Sequence, residues 1–467
     1  MPVRLSFLVA SIFAASVGLS ACTGGSTSVP VPHAEQSGGH HRTSSSPIQH
    51  IVLMVQENRT FNNLFATFPN ATGTTTGLEW VGKGKKAHDV TINLTETNLV
   101  DKKNLNHLYI SYKTAYRNGN MDGFNRIIYS TTHKKEGTAP YAYVNPSQVT
   151  PYWTLASTYG LADEMFQTQG SGSFTAHQDL IRGGTEIDST DSLIDDPTSA
   201  SAWGCNASPG AVTSLITTGL IYEGGKGPYP CTSDFPYSGS SYETLADRFA
   251  NAGITWKYYA PPDKPNTVGA LWNGFAVISS LYNNQSEWSQ HIISPPQQII
   301  KDAAKGNLPQ MSWVIPDALN SDHPGYTSDK GPSWVAQVVN AIGKSQYWSS
   351  TAIIIVWDDW GGFYDEVSPP ALDNQGGPGF RVGMIVASPY VPANEISNTV
   401  YGFGSIIRFI EATWNLPSLN TTDSTSMTIA DMFNFNQKPR KFKPIAAKYS
   451  RAFFLNQKPS GLPVDDE

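Results

Sequence analysis

Four short, largely apolar runs constrain the fold of this chain more than any other feature of its sequence. Each spans five or six residues, as is typical of strands buried on both faces of a largely parallel sheet. Segments with helical periodicity separate the runs, so the sequence predicts an α/β fold in which helices sandwich the sheet. The runs are 51–55, 311–315, 352–357 and 382–387, and helical patterns cover 242–252, 333–344 and 405–414.

The first 21 residues are predicted to be an export signal. Arg4 precedes an apolar run, 5–21, that has no acidic residue and is too short for a membrane-spanning helix. The run ends at Cys22 in a Leu-Ser-Ala-Cys sequence that resembles a bacterial lipobox, so we expect a lipid-anchored protein at the periplasmic or cell surface. An ordinary cleaved signal is the alternative. Residues 22–47 have the composition of a flexible tether, and 48–467 are expected to form a single domain.

The composition excludes several classes of protein and limits the partners. Hydrophobic residues make up 39% of the 467 residues and charged residues 15%, which is not the composition of a coiled coil, a collagen or a wholly disordered chain. The net charge is −7 and no long basic run is present, so we expect no nucleic-acid partner. An anionic substrate would therefore need a local cation, most simply a metal ion.

Two cysteines remain after the predicted signal, Cys205 and Cys231. In an exported chain, a disulfide between them is the simplest expectation, and it would close a loop of about 25 residues. Two unpaired buried thiols are the alternative.

Acidic residues follow two of the apolar runs directly. Glu57 and Asn58 follow the first run, and Asp358 and Asp359 follow the third. Ligands bind beyond the carboxyl ends of strands in parallel sheets, and adjacent carboxylates repel unless a cation lies beside them. An all-oxygen set favours one hard divalent ion such as Ca²⁺, Mg²⁺ or Mn²⁺ over Zn²⁺. The alternative is ordinary: a turn at the Asp pair and a helix cap at the Glu-Asn pair.

A glycine-serine loop offers hydroxyl groups for a nucleophile. Ser171 and Ser173 lie in Gly-Ser-Gly-Ser-Phe, which is not the nucleophile elbow of α/β-hydrolases. His177 follows Ser173 by four residues and would share its face on a helix. His107 and His323 are further candidates for acid–base chemistry, although a lone histidine is more often structural.

Several segments, in order, resemble the bacterial phospholipase C and acid phosphatase family of phosphoesterases. The first contains the Glu-Asn-Arg-Thr-Phe-Asn sequence that follows the first run, and the strongest contains the Trp-Asp-Asp-Trp-Gly-Gly-Phe-Tyr-Asp sequence at the end of the third. The matching segments are 50–62, 121–124, 161–166, 253–259, 308–316, 322–324, 355–365, 387–390 and 410–411.

The resemblance implies an alkaline-phosphatase-like α/β/α sandwich that cleaves phosphate mono- or diesters, phospholipids included, through a phosphorylated hydroxyl. It implies that Ser173 is the nucleophile, four residues before the position of a family His or Arg, here His177. Ser171 stays a rival, because the usual Pro-x-Pro-Asn surroundings are missing. The implied metal ligands are Glu57, Asn58, Asp358 and Asp359, and the implied pocket histidines are His107 and His323, either of which could be the general acid.

Three positions depart from the family pattern. Glu366 replaces a histidine in 365–367, residues 401–405 lack an acid and a histidine, and Gly383 replaces a proline in 381–383. These departures keep a second hypothesis open, in which the chain is a non-catalytic surface lipoprotein that binds phosphorylated ligands on the same fold.

Overall fold

Eight strands form the central sheet of the protein. A computed structural model describes residues 46–463, except residues 101, 131, 238–241 and 374. The predicted signal and Cys22 lie outside the described residues. The strands are β1 (His50–Gln56), β2 (Gly160–Ala162), β3 (Trp256–Tyr259), β4 (Ile292–Ile293), β5 (Met311–Val314), β6 (Thr351–Trp357), β7 (Met384–Ala387) and β8 (Glu395–Ser397).

The sheet is largely parallel, as predicted. Its strand order is β4-β3-β5-β1-β6-β7-β2-β8, and β7 runs antiparallel to both of its neighbours while the other pairs are parallel. The fourth apolar run therefore forms a strand as predicted, but one of opposite direction that begins two residues late, at Met384. The four predicted runs supply β1, β5, β6 and β7. The remaining strands have two to four residues, too short for a periodic signal.

Helices cover both faces of the sheet. Trp313 on β5 contacts Phe249 of one helical layer, and Trp357 on β6 contacts Tyr152 of the other. The predicted helices are confirmed at slightly different bounds. The helices are α1 (Phe61–Phe65), α2 (Tyr109–Tyr116), α3 (Thr150–Thr158), α4 (Ser173–Arg182), α5 (Leu245–Ala252), α6 (Ser279–Tyr282), α7 (Gln285–His291), α8 (Gln298–Lys305), α9 (Gly331–Gly343), α10 (Phe403–Trp414) and α11 (Arg451–Asn456).

Local capping sets the bounds of α5. The Thr244 side chain accepts from the backbone of the first turn, and Asp247 accepts from the Thr244 backbone N–H. This capping box starts the helix two to three residues later than the apolar pattern suggests. Gly253 ends it with a φ of 68°, a conformation that favours glycine.

Four smaller sheets lie outside the central one. A three-stranded sheet consists of Asp191–Ile194, Ser214–Thr217 and Ile221–Glu223. The two-stranded sheets pair Thr76–Val81 with His88–Asn93, Thr95–Thr97 with Ala142–Val144, and Met165–Phe166 with Tyr401–Gly402. Cys205 and Cys231 form the predicted disulfide, with 4.7 Å between their Cα atoms. Among the described residues, no helix is both long and apolar enough to span a membrane.

Candidate active site at the strand ends

The four predicted metal ligands meet at one edge of the sheet. Strands β1 and β6 are parallel neighbours whose last residues pair, so the residues that follow leave the sheet side by side. The backbone N–H of Asn58 donates to Asp358 Oδ1 over 2.9 Å. Asn58 has a φ of 61°, which asparagine tolerates better than most residues. We call Glu57, Asn58, Asp358 and Asp359, all fully buried, the strand-end cluster.

The oxygen atoms of the strand-end cluster fit a divalent cation. Asn58 Oδ1 and Asp358 Oδ2 are buried and accept no hydrogen bond from any residue that the structure describes. Leaving a buried acceptor unsatisfied costs about 1–3 kcal/mol, a cost that a cation would remove. One ligand atom each from Glu57, His177 and Asp358 lies within 4.8 Å of the others. Carboxylate and amide oxygens suit hard cations, and His177 could add a nitrogen ligand.

Burial disfavours negative charge in this cluster. Desolvation raises the pKa of Glu57 to about 8, although hydrogen bonding and His323 oppose the rise. Desolvation and the neighbouring Glu57 raise the pKa of Asp358 to about 7. Burial lowers the pKa of His177, whose Nε2 lies 3.1 Å from Glu57 Oε1. A bound dication would favour the ionised carboxylates and so replace the proton that they otherwise hold near neutral pH.

Ser173 faces the strand-end cluster. Its Oγ donates to Asp359 Oδ2 over 3.2 Å and lies 3.5 Å from Glu57 Oε2. Ser173 is the first residue of α4, so the positive end of the helix dipole lies beside the hydroxyl. His177 is one turn further along the same helix, on the face that the four-residue spacing predicts.

Ser171 has a different environment. Its Oγ accepts from the backbone N–H of Asp195 over 2.7 Å and donates to Asp195 Oδ1 over 3.3 Å. Asp195 Oδ1 also accepts from the backbone N–H of Tyr109. Ser171 therefore fastens the glycine-serine loop to neighbouring segments, whereas Ser173 points to the carboxylates.

His107 is held as one neutral tautomer. Its Nδ1 donates to the backbone oxygen of Leu105 over 2.7 Å. Its Nε2 lies 2.7 Å from Asn58 Nδ2, and because an amide nitrogen can only donate, Nε2 is the acceptor and carries no proton. This bond orients the Asn58 side chain, whose Oδ1 is the atom without a donor. His107 Nε2 also lies 3.7 Å from Asp359 Oδ2.

His323 approaches the site from the loop after β5. Asp322, with a φ of 71°, turns the chain before it. The His323 ring stacks on Trp272 with 5.7 Å between ring centroids, and its Nδ1 hydrogen-bonds to the backbone oxygen of Pro324. Its ring centroid is 6.4 Å from that of His107. The strand-end cluster, Ser173 and the three predicted histidines thus lie together, whereas Ser171 bonds to Asp195.

Comparison with known proteins identifies the family. The profile of the phosphoesterase family matches residues 48–417. The chain belongs to the phosphoesterase family. It is 24% identical over 454 residues to phospholipase C B of Mycobacterium tuberculosis, covering 85% of this chain and 80% of that one. It is 24% identical over 444 residues to non-hemolytic phospholipase C of Pseudomonas aeruginosa, covering 83% of this chain and 57% of that one.

A solved structure of an alkaline phosphatase superfamily protein from Vibrio parahaemolyticus is also similar. It shares 10% identity at a TM-score of 0.35, over 82% of this chain and 72% of that one. As a member of the phosphoesterase family, the chain is a phosphoric ester hydrolase.

The departures from the phosphoesterase pattern have their own partners. Glu366, at the lost histidine, accepts from Arg381 Nη2 over 2.9 Å. Gly383, at the lost proline, lies against the Trp357 ring, and a Cβ there would come within 2.8 Å of it. Tyr401, at the start of the altered 401–405 segment, donates to Asp431 Oδ1 over 2.6 Å.

Several residues that support this phosphoesterase site are absent from the sequence prediction. Gln56 Nε2 donates to the Tyr152 hydroxyl oxygen, and both donate to Asp322 Oδ2, next to His323. Arg59 Nε donates to the backbone oxygen of Asp322 over 3.0 Å. A polar glutamine ending an apolar strand was the one sequence signal for this network. Gln167 accepts from the Trp360 N–H and donates to the Ser171 backbone oxygen, which ties the glycine-serine loop to the strand end.

Proposed function

We propose that the chain is a metal-dependent phosphoesterase in which Ser173 forms a phosphoserine intermediate. The observation that carries the proposal is the position of Ser173 Oγ within 3.5 Å of two carboxylates of a cluster that has two buried oxygens without donors. A nucleophile beside an uncompensated acidic cluster is the arrangement that metal-assisted phosphoryl transfer requires.

Glu57, Asn58, Asp358 and Asp359 would hold one divalent ion, with His177 as a possible fifth ligand. When bound, such an ion supplies Lewis-acid stabilisation of negative charge on phosphoryl oxygens and lowers the pKa of a nearby hydroxyl. We expect Ca²⁺, Mg²⁺ or Mn²⁺ rather than Zn²⁺, since at least four of these donors are oxygens.

The side chains of this chain provide the remaining steps. Ser173 Oγ gives its proton towards Asp359 Oδ2 and forms a bond to phosphorus, while the bond from phosphorus to the leaving oxygen breaks. We assign the general acid for that oxygen to His323, because His107 Nε2 already accepts from the Asn58 amide. Water then attacks phosphorus and gives a proton to His323, the bond from phosphorus to Ser173 Oγ breaks, and Oγ takes its proton back from Asp359 Oδ2, which releases inorganic phosphate or a phosphomonoester.

The substrate is proposed to be a phospholipid headgroup ester or a small phosphate monoester. The names of the relatives favour the phospholipase C reaction. We also propose that residues 1–21 direct export, that a lipid on Cys22 anchors the protein to a membrane at the periplasmic or cell surface, that 22–47 is the tether, and that 48–467 is a single catalytic domain.

Paired serine variants test the proposal. We expect Ser173→Ala to abolish turnover and Ser171→Ala to retain most of it, with phosphocholine release from phosphatidylcholine compared against phosphate release from monoesters. EDTA should abolish the wild-type rate and a divalent ion should restore it. Digestion of a quenched reaction should yield a phosphorylated peptide that contains Ser173. Loss of turnover in Ser171→Ala alone would reassign the nucleophile, and no wild-type turnover with any divalent ion would favour the non-catalytic lipoprotein.

A further inference from the structure

The last described residues of the chain pack on the loop that carries His323. This C-terminal strap, residues 457–463, follows α11 and lies outside the 48–417 segment that matches the family. The His323 loop runs from the end of β5 to the start of α9. The two segments are bonded at three separate points, although more than 130 residues separate them in sequence.

Two of these contacts hold the first part of the loop. Gln457 and Asn320 exchange two side-chain hydrogen bonds of 3.0 and 3.3 Å. The backbone N–H of Ser460 donates to Asp317 Oδ2 over 2.9 Å. Asn320 is fully buried, and its backbone oxygen accepts from Gln56, the last residue of β1. The strap therefore bonds to a residue that is already connected to the strand end.

The third contact reaches His323 through one aromatic ring. The Tyr326 hydroxyl donates to the backbone oxygen of Pro463 over 2.7 Å. The Tyr326 ring packs against the His323 ring with 5.2 Å between centroids, and against Trp272 at 6.2 Å. The rings of His323, Trp272 and Tyr326 thus pack against one another in a triangle, and the strap holds one of them, Tyr326.

We propose that the C-terminal strap positions His323 for proton donation to the leaving oxygen, with Gln457 and Tyr326 as positioning residues. The inference rests on the proposed function, since it gives the strap a role through the proposed general acid. Proton transfer requires donor and acceptor within hydrogen-bond distance, and a displacement of about 1 Å can cost about 10²-fold in rate. Gln56, Tyr152 and Arg59 hold Asp322 on the side before His323, and the strap holds Tyr326 on the side after it, so loss of the strap would free one side of the imidazole.

The dependence of the rate on the leaving group distinguishes positioning from general structural support. A nitrophenolate leaves without a proton, whereas an alkoxide needs one, so a displaced general acid slows alkyl esters selectively. We would measure kcat/KM for two substrates that carry the same phosphoryl group, one a nitrophenyl ester and the other an alkyl ester. This constant reports the steps up to departure of the leaving group. Measured on the full chain, Gln457→Ala and Tyr326→Phe should lower the alkyl rate about 3- to 10-fold, a fraction of the roughly 10²- to 10⁴-fold that a general acid provides.

Truncation after Asn456 removes all three contacts and should lower the alkyl rate by about 10- to 100-fold. The nitrophenyl rate should change less than about threefold in each variant. Asn340→Ala is the matched control, because the Asn340 side chain exchanges two hydrogen bonds of 2.8 Å with the backbone of Ile445 and so holds the C-terminal segment to α9 and not to the His323 loop. It should leave both rates unchanged.

A His323→Ala reference separates failure of the inference from failure of the proposed function. If His323→Ala slows the alkyl ester selectively but the strap variants slow neither ester, or slow both equally, the strap inference is overturned and the proposed acid stands. If His323→Ala slows both esters equally, His323 is not the acid, and the proposed role of His323 and the strap inference fail together.

Discussion

Two buried acidic clusters of this protein differ in how their charge is balanced. In the Arg381 cluster, the guanidinium bonds to Asp365 over 3.0 Å and to Glu366 over 2.9 Å, and donates to the backbone oxygen of Asp163. In the strand-end cluster, the carboxylates receive bonds from Ser173, from backbone N–H groups and from His177, whose pKa burial lowers.

We propose that this difference separates a structural cluster from a functional one. The Arg381 guanidinium gives its carboxylates a fixed positive charge within hydrogen-bond distance, so their charge is balanced without a ligand. In the strand-end cluster, Asn58 Oδ1 and Asp358 Oδ2 are buried and accept no hydrogen bond from any described residue, and a bound cation would satisfy both oxygens. Both clusters lie close to the same sheet edge, so acidic content alone does not mark the active site.

The largest expected effect separates the clusters by activity. Asp358→Asn should lower kcat/KM by about 10³-fold or more, because it removes a proposed metal ligand and several kcal/mol of transition-state stabilisation. Glu366→Gln is the matched change in the Arg381 cluster. At a temperature where this variant is folded, its kcat/KM should lie within about tenfold of the wild-type value. Equal losses in the two variants would show that the clusters do not differ as proposed.

The next effect reverses the comparison and concerns stability. Arg381→Met should lower the free energy of unfolding by about 3–5 kcal/mol, because it leaves buried carboxylates without their partner. Arg381→Lys keeps the charge but not the forked geometry, so its loss should be smaller. Chemical denaturation measures both. A stability change below about 1 kcal/mol for Arg381→Met would contradict the structural role.

Metal removal should expose a pH dependence in the strand-end cluster. Folding raises the pKa of Glu57 from 4.5 to about 8 and that of Asp358 from 3.8 to about 7. The folded metal-free protein therefore binds more protons than the unfolded chain between about pH 4 and 8, so its stability falls as pH rises through that window. We expect a decrease of about 4 kcal/mol, since the two carboxyls share one site and one pKa unit corresponds to about 1.4 kcal/mol.

The control for this effect is the same titration with a divalent ion present or with Asp358→Asn. The cation should flatten the curve, because it stabilises the ionised carboxylates. Asp358→Asn should only reduce the slope, because it removes one titrating carboxyl while desolvation still raises the pKa of Glu57. An identical slope in all three samples would assign the pH dependence to other groups.

The smallest effect tests the edge of the Arg381 cluster. Thr72 Oγ1 accepts from Arg381 Nη1 and donates to Asp163 Oδ2, each over 2.8 Å. Thr72→Val should cost about 1 kcal/mol of stability, the value of a typical hydrogen bond, and should leave metal content and turnover unchanged. A loss of bound metal in this variant would show that the two clusters are coupled.

The sequence predicted the strand-end cluster because parallel strands fix where their following residues meet. Glu57 and Asp358 follow the two longest strands, and the pairing of those strands leaves no freedom in where the carboxylates lie. The sequence could not predict which of Ser171 and Ser173 faces the carboxylates, because Ser171 is bonded to Asp195 from another segment of the chain. The tautomer of His107 depends in the same way on Asn58 and Leu105.

Long-range polar contacts were equally beyond the sequence. The bonds of Arg381 to Asp365 and Glu366, and of Gln457 to Asn320, join segments whose spacing carries no periodic signal. The antiparallel direction of β7 was missed for a related reason, because an apolar run identifies a buried strand but not its direction.

Elemental analysis of the purified protein, after equilibration with Ca²⁺, Mg²⁺ and Mn²⁺ and gel filtration, tests the central claim most directly. We predict about one equivalent of a divalent ion per wild-type and Glu366→Gln chain, and almost none in folded Asp358→Asn. Full metal content in Asp358→Asn, or none in the wild type, would contradict the assignment of the strand-end cluster as the metal site.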